Sequence, residues 1–177
     1  MVNIEHFETP WSKLNIRDFD PWHSMCSYLG AFPPTLASYF IKYFSNEGDV
    51  VMDPFSGRGT TALEAKILGR ETIATDLNPI AIALTEAKNV SLDKQEVLDR
   101  IDELERKYDP ALYQPEASAQ PDNIHLIFNP RTLAQLCYLK RRFLKSSRLV
   151  DKFLVGVTLG VLHGGERADG SSGYASI

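Results

Sequence analysis

The chain has 177 residues, 44% of them hydrophobic and 24% charged, and its 19 basic and 23 acidic side chains leave a net charge of −4. That length suits one well-buried core and is short for two, and the acidic balance excludes a surface that binds nucleic acid everywhere while permitting a local basic patch. No apolar run approaches the roughly 20 residues of a membrane span, and the polar amino terminus lacks a basic-then-apolar leader, so a cytoplasmic protein without a membrane partner is expected.

Residues 1–33, which include "TPWSKL" and "DFDPWHSMCSYLGAFPP", are rich in aromatics and turn formers without a sustained period. They are expected to form an ordered N-terminal arm with short helical turns. In "PPTLASYFIKYF", Leu36, Phe40, Tyr43 and Phe44 recur at helical spacing behind Pro33 and Pro34, which predicts a helix over 34–45. "GDVVMD" and "ETIATD" are short apolar runs that end in an acid, with helix formers and a closing Gly69 between them. The pattern is strand, helix, strand. Asn78 as N-cap and Pro79 at the first helical position open a further helix, completing an α/β core over 34–92. "LDKQEVLDRIDELERKY" then puts Val97, Ile101, Leu104 and Tyr108 on one face, the mark of an amphipathic surface helix. Residues 109–123 carry Pro110, Pro115 and Pro121 and are expected to be a loop. Helices over 131–145 and 149–162 complete a helical region of 93–162. The Gly- and Ser-rich tail 163–177 ends in "YASI", the beginning of a strand. A doubly wound sheet needs about five strands or more, so the fold expected is α/β with an incomplete sheet and added helices.

Cys26 and Cys137 lie far apart, and His6, His23, His125 and His163 are scattered, spacings that make no metal site. The cysteines are expected as small buried hydrophobes. His163, before Gly164 and Gly165, is a helix-ending residue to which no catalytic role is given.

The chemistry concentrates in "VVMDPFSGRGTTALEA". A strand that feeds a glycine loop and then a helix gathers unpaired N–H groups at a positive helix end, and this favours an anion. Gly57 and Gly59 permit a tight turn and a close approach to a ligand. Asp76 ends the next strand 19 residues after Gly57, near the spacing at which an acid meets ribose hydroxyls. A purely structural turn also explains a lone Gly-x-Gly. Ala62 stands where a dinucleotide fingerprint has its third Gly, so NAD stays formally open, whereas the missing Gly-Lys-Ser/Thr excludes a P-loop. Asp53 at the loop's start would repel a pyrophosphate and attract an amine or sulfonium. S-adenosylmethionine carries both.

"DVVMDPFSGRGTTALEAKILGRETIATDLNP" closely resembles the cofactor motif of DNA methyltransferases that modify exocyclic amino groups, adenine N6 or cytosine N4, with its pattern Asp-Pro-Phe-x-Gly-x-Gly-Thr-Thr. "HSMCSYLGAFPPTLASYFIKYF" resembles the helical segment that completes the methionine side of their pocket, so the likeness covers residues 23 to 90. It implies a Rossmann-like S-adenosylmethionine-dependent methyltransferase fold and a set of roles. Asp53, followed by Pro54, would reach the methionine amino group, and Phe55 would line the floor beside it. Gly57 and Gly59 would let the backbone follow the amino acid part, with Thr60 and Thr61 capping the next helix. Asp76 would take the ribose hydroxyls, Leu77 and Asn78 would flank the adenine, and Phe32 and Pro33 would close the pocket.

The family's second motif, Asp, Asn or Ser before Pro-Pro and an aromatic, hydrogen-bonds the target amino group and stacks on the flipped base. No such tetrapeptide occurs; "FPPT" and "FNPR" lack its flanking residues. The expectation is a chain that stops before the catalytic half, with no catalytic residues of its own, and that needs a second polypeptide or a homo-oligomer. A non-catalytic S-adenosylmethionine-binding or regulatory module, or a methyltransferase acting on RNA or a small molecule, are the alternatives. For DNA contact, Arg141, Lys145 and Arg148, with Lys140 beside them and Lys152 beyond, would form a basic stripe if one helix ran through them; a solvated face explains them equally.

Overall fold

A computed structural model describes residues 20–162. Residues 1–19 of the arm and the tail 163–177, with His6, His163 and "YASI", lie outside the described residues. The sheet forms at the two apolar runs. β1 (Val50–Asp53) and β2 (Glu71–Ala74) pair in parallel, in register from Val50 opposite Glu71 to Asp53 opposite Ala74. Parallel strands need a crossover, and α2 (Thr60–Ile67) supplies it.

Upstream, a 3-10 turn over Pro21–Ser24 is capped by Asp20, and α1 (Pro34–Phe44) begins behind Pro33 with Pro34 at its first position. Ala37 and Ile41 of α1 bury against Ala65 of α2, with Val51 and Leu68 packed at the edge of that cluster. One face of the strand pair is thereby covered. The other face carries Val50, Met52 and Ile73, which stay 55%, 63% and 52% exposed. Parallel sheets normally have both faces covered.

α3 (Pro79–Asn89) starts as expected, with the Asn78 side chain accepting the Ile80 N–H. After it come α4 (Lys94–Arg106), α5 (Pro110–Ser118), α6 (Asp122–His125), α7 (Pro130–Phe143) and α8 (Leu149–Val161). Their second core joins Leu104, Tyr113, Ala117, Leu133, Ala134, Cys137, Tyr138, Val150 and Leu154. Cys26 and Cys137 are both buried, and burial pushes both thiols up. No described helix is long and apolar enough to cross a membrane.

The structure corrects the sequence expectations in two places here. Residues 109–123 are helical over most of their length, not a loop. Asp109 accepts the Ala111 N–H, Pro110 takes the first helical position, and Pro115 sits inside α5. An interior proline costs about 3 kcal/mol. Burial of Ala117 and Tyr113, whose ring meets Tyr108 at 6.2 Å and Tyr138 at 5.1 Å, offsets that cost. On α4, Ile101 remains 43% exposed while Arg100 is buried, because Asp151 of α8 faces it: Arg100 Nε donates to Oδ1 at 2.7 Å and a second guanidinium nitrogen to Oδ2 at 3.0 Å. An ion pair, not an apolar contact, sets that part of the interface. The fold is thus a mixed helix–strand assembly with a small two-stranded parallel sheet and a helical region after it.

Candidate functional site

The site is built at the carboxyl ends of β1 and β2, where ligands sit in open parallel sheets. Pairing continues past the strands: the Thr75 N–H donates to the Asp53 carbonyl at 3.0 Å, and the Ser56 N–H to the Thr75 carbonyl at 2.9 Å. The Thr75 hydroxyl adds a 3.1 Å bond to the Pro54 carbonyl. This lacing pins both ends of "DPFS" to β2. Asp53 Oδ1 accepts the Phe55 N–H at 3.0 Å, which turns the chain out of β1 and leaves the Phe55 ring 83% exposed. A core role for Phe55 is therefore excluded.

Gly57 and Gly59 have φ of +51° and +79°, in the left-handed region. A Cβ at Gly59 would stand 2.8 Å from Thr85 Oγ1 and 2.9 Å from Thr85 Cα, so α3 approaches the loop backbone as closely as glycine allows. The Gly59 N–H closes the turn onto the Ser56 carbonyl at 2.7 Å, and Gly59 is the N-cap of α2. Thr60 and Thr61 are therefore the first residues of the helix and not its caps. Thr60 is buried and its hydroxyl lies 3.4 Å from Arg58 Nε.

Asp76 links the two sides. Its Oδ2 accepts the Gly57 N–H and its Oδ1 the Asn78 N–H, each at 2.8 Å. These backbone donors, Asn78 first and then Gly57, hold its carboxyl below the ordinary 3.8. It stays ionised at neutral pH with lone pairs to spare for hydroxyl donors. Leu77, next to it, is fully exposed.

α3 grips the loop from behind. Thr85 Oγ1 stands 3.3 Å from Ser56 Oγ and 3.5 Å from the Gly57 carbonyl, and Lys88 Nζ donates to the Arg58 carbonyl at 2.7 Å. Lys88 is only 3% exposed; burial, and then the like charge of Arg58, lowers its ammonium to about 8. Successive loop carbonyls thus face α3. Because the two polar groups of a peptide point opposite ways, the Arg58 N–H, across from the Gly57 carbonyl, faces away from α3, while the Gly59 N–H is the one that closes the turn on Ser56.

The upstream segment reaches the loop through Tyr28, a residue that no motif in the sequence marks. Its hydroxyl accepts from Asn78 Nδ2 at 3.1 Å, and its ring lies 3.6 Å from where a Gly57 Cβ would be. Tyr28 therefore bridges the glycine loop and the start of α3. Its only signal in the sequence is an amphipathic aromatic among small residues, "CSYLGAF". Phe32, 38% exposed, and Pro33 lie at the entry to α1. So the structure gathers Asp53, Pro54, Phe55, Gly57, Gly59, Thr60, Thr61, Asp76, Leu77 and Asn78 around one strand end.

The basic residues are arranged differently from a single stripe. α7 ends at Phe143 and α8 starts at Leu149, with Arg148 as its N-cap. Arg141 pairs with Glu116 at 2.6 Å, Arg148 with Glu103 at 3.3 Å, and Lys152 with Glu86 at 2.7 Å. Lys140 lies in the last turn of α7 and Lys145 in the link between the two helices.

A nucleoside with a cationic amino acid tail fits these residues: two left-handed glycines, one of them packed so closely on Thr85 that a Cβ has no room, a flanking carboxylate at each strand end, and exposed Phe55 and Leu77 as apolar surfaces. A family model described as DNA methylase matches residues 4–87. Type II methyltransferase M.MjaII of Methanocaldococcus jannaschii is 36% identical over 75 residues, which is 42% of this chain and 14% of that protein. Type II methyltransferase M.BamHI of Bacillus amyloliquefaciens is 39% identical over 75 residues, 42% of this chain and 18% of its own. Orphan methyltransferase M.BamHII of the same organism is 49% identical over 47 residues, 27% of this chain and 18% of its own. The matched part thus spans less than a fifth of each of these relatives. No solved structure matches the chain significantly. The residues matched by the family model contain the whole glycine loop and Asp76, and over them this chain is similar to DNA methylases and to type II methyltransferases.

Proposed function

We propose that this chain is the S-adenosylmethionine-binding portion of a DNA methyltransferase that acts on the exocyclic amino group of adenine or cytosine, and that it works with a second segment or chain bearing the Asp/Asn/Ser-Pro-Pro-aromatic motif. The observation that supports this reading is the bond from the Gly57 N–H to Asp76, which joins the acid proposed to take the ribose to the glycine loop. Asp53 takes the amino group of the methionine moiety, Phe55 lies beside it, and the N–H groups of Arg58, Thr60 and Thr61 take its carboxylate. Asp76 holds the ribose hydroxyls, and Leu77 and Asn78 flank the adenine. Phe32 and Pro33 border the pocket from upstream. The bound cofactor supplies a methyl group activated on sulfonium, and the chain's contribution is positioning and electrostatics. β1, α2 and β2 are, on this reading, one unit of a Rossmann-like sheet, and DNA as substrate implies a cytoplasmic location.

The open sheet face of Val50, Met52 and Ile73 favours a partnered half over a free-standing regulatory module, because a module that persists alone has no reason to leave it bare. Lys140, Arg141, Lys145 and Arg148 are the residues proposed to meet DNA phosphates, from the last turn of α7 and the link that leads into α8. Isothermal titration with S-adenosylmethionine is the test: folded protein that shows no binding refutes the reading. Binding without DNA methylation, restored by a chain that bears the missing motif, completes it.

A further inference from the structure

Lys88 is an expensive residue to place where it stands. A lysine is almost never fully buried without a carboxylate, and this one is 3% exposed with its ammonium committed to a backbone carbonyl, that of Arg58. The charged and titratable groups that face it are Arg58 from the loop, which repels it, and Cys26 from the upstream segment, whose thiol is kept protonated by burial. Its helix neighbour Glu86 is engaged by Lys152. No described acid neutralises Lys88, yet it lies directly behind the glycine loop, bonded to the Arg58 carbonyl.

Resting on the cofactor reading above, we propose that Lys88 is a positioning residue for the amino acid end of the cofactor: by holding the Arg58 carbonyl it fixes the turn that Gly59 closes on Ser56, which sets the N–H groups of Arg58 and of the first turn of α2 toward the methionine carboxylate, and its buried ammonium is the countercharge that the carboxylate meets through the loop. The buried ammonium, with no described acid beside it, is then the reason for the site's anion preference. Its ammonium titrates near 8, so the carboxylate's affinity is full at neutral pH and falls as Lys88 loses its proton.

The test uses the full chain and calorimetric binding between pH 6.5 and 9.5 of two probes with no titrating amine. One is the desamino analogue of S-adenosylhomocysteine, which keeps the carboxylate; the other is methylthioadenosine, which has none. Wild type is expected to lose about tenfold in affinity for the carboxylate probe across that range, the scale of one charge-assisted hydrogen bond, with methylthioadenosine unchanged. Lys88→Met should bind the carboxylate probe about tenfold more weakly at pH 7, with a flat pH profile and unaltered methylthioadenosine binding. Lys88→Arg should restore the affinity and flatten the profile. Equal losses for both probes in Lys88→Met, or a flat wild-type profile, would overturn the proposal. The wild-type profile decides the matter even where Lys88→Met does not fold. Wild type that binds neither probe nor S-adenosylmethionine refutes the cofactor reading itself, a distinct outcome.

Discussion

Asp76 and Gly57 stand 19 residues apart in sequence and are joined by a 2.8 Å bond from the glycine N–H to the carboxylate. The acid that ends β2 thus organises the loop that leaves β1. Its folded pKa lies below the ordinary 3.8, so the stabilisation it contributes is complete above that value and disappears as pH falls through the lower folded one. Asp76→Asn is therefore expected to lower the thermal midpoint at pH 7 and to converge with wild type in acid below about 3.8. Melting curves from pH 7 to pH 2.5 check this. A deficit that persists unchanged into strong acid would mean that the ionised carboxylate is not what holds the loop.

Gly59 meets two constraints at once. A left-handed φ costs a non-glycine residue about 1–2 kcal/mol, and a Cβ there would also press on Thr85. Gly59→Ala should thus destabilise by about 2 kcal/mol or more in urea unfolding. The added Thr85→Ala substitution removes the hydroxyl contact but not the one at Thr85 Cα, 2.9 Å away. It should recover only part of the loss.

The cradle was legible in the sequence because its signals are local: an acid after an apolar run, glycines in the turn, an N-cap before a proline. Asp53, Gly57, Gly59, Asp76 and Asn78 each carry such a mark. Tyr28 and Lys88 do not, since their roles arise from contacts made 50 and 30 residues away, and nothing in "CSYLGAF" or "TEAKN" announces those contacts. α5 was hidden for the opposite reason. Its prolines are strong local breakers, and only the burial of Tyr113 and Ala117 against α7 overrides them. Ile101 was misplaced because periodicity counts apolar residues and takes no account of a buried arginine one position earlier.

Tyr28 separates ring from hydroxyl cleanly. Tyr28→Phe removes the bond to Asn78 and keeps the ring against Gly57, a loss of about 1 kcal/mol. Tyr28→Ala removes both. If Tyr28 clasps the cradle through its ring, S-adenosylmethionine binding by Tyr28→Phe should stay within about fivefold of wild type while Tyr28→Ala falls well beyond that, in calorimetry at pH 7. Equal losses in the two variants would assign the whole effect to the hydroxyl.

Arg100 and Asp151 tie the helical region together, and both are buried. Removing one partner leaves the other charge desolvated, so Asp151→Ala should cost about 3–5 kcal/mol in chemical unfolding. Arg100→Met alone should cost more than Asp151→Ala, because Arg100 keeps the Glu103 carboxylate at 2.6 Å, whereas the more deeply buried Asp151 keeps only the neutral Ser146 hydroxyl. The double variant Arg100→Met with Asp151→Leu removes both charges and fills the space with apolar atoms. It should recover most of the loss, since replacing a buried pair by packed hydrophobes is often neutral. Glu103, held at about 2 by Lys107 and Arg100, sits on the exposed side of the same cluster, where solvent weakens its contribution. Glu103→Gln should accordingly shift the unfolding midpoint far less than Asp151→Ala. A larger effect at Glu103 would place the cluster's strength at the surface rather than at the buried pair.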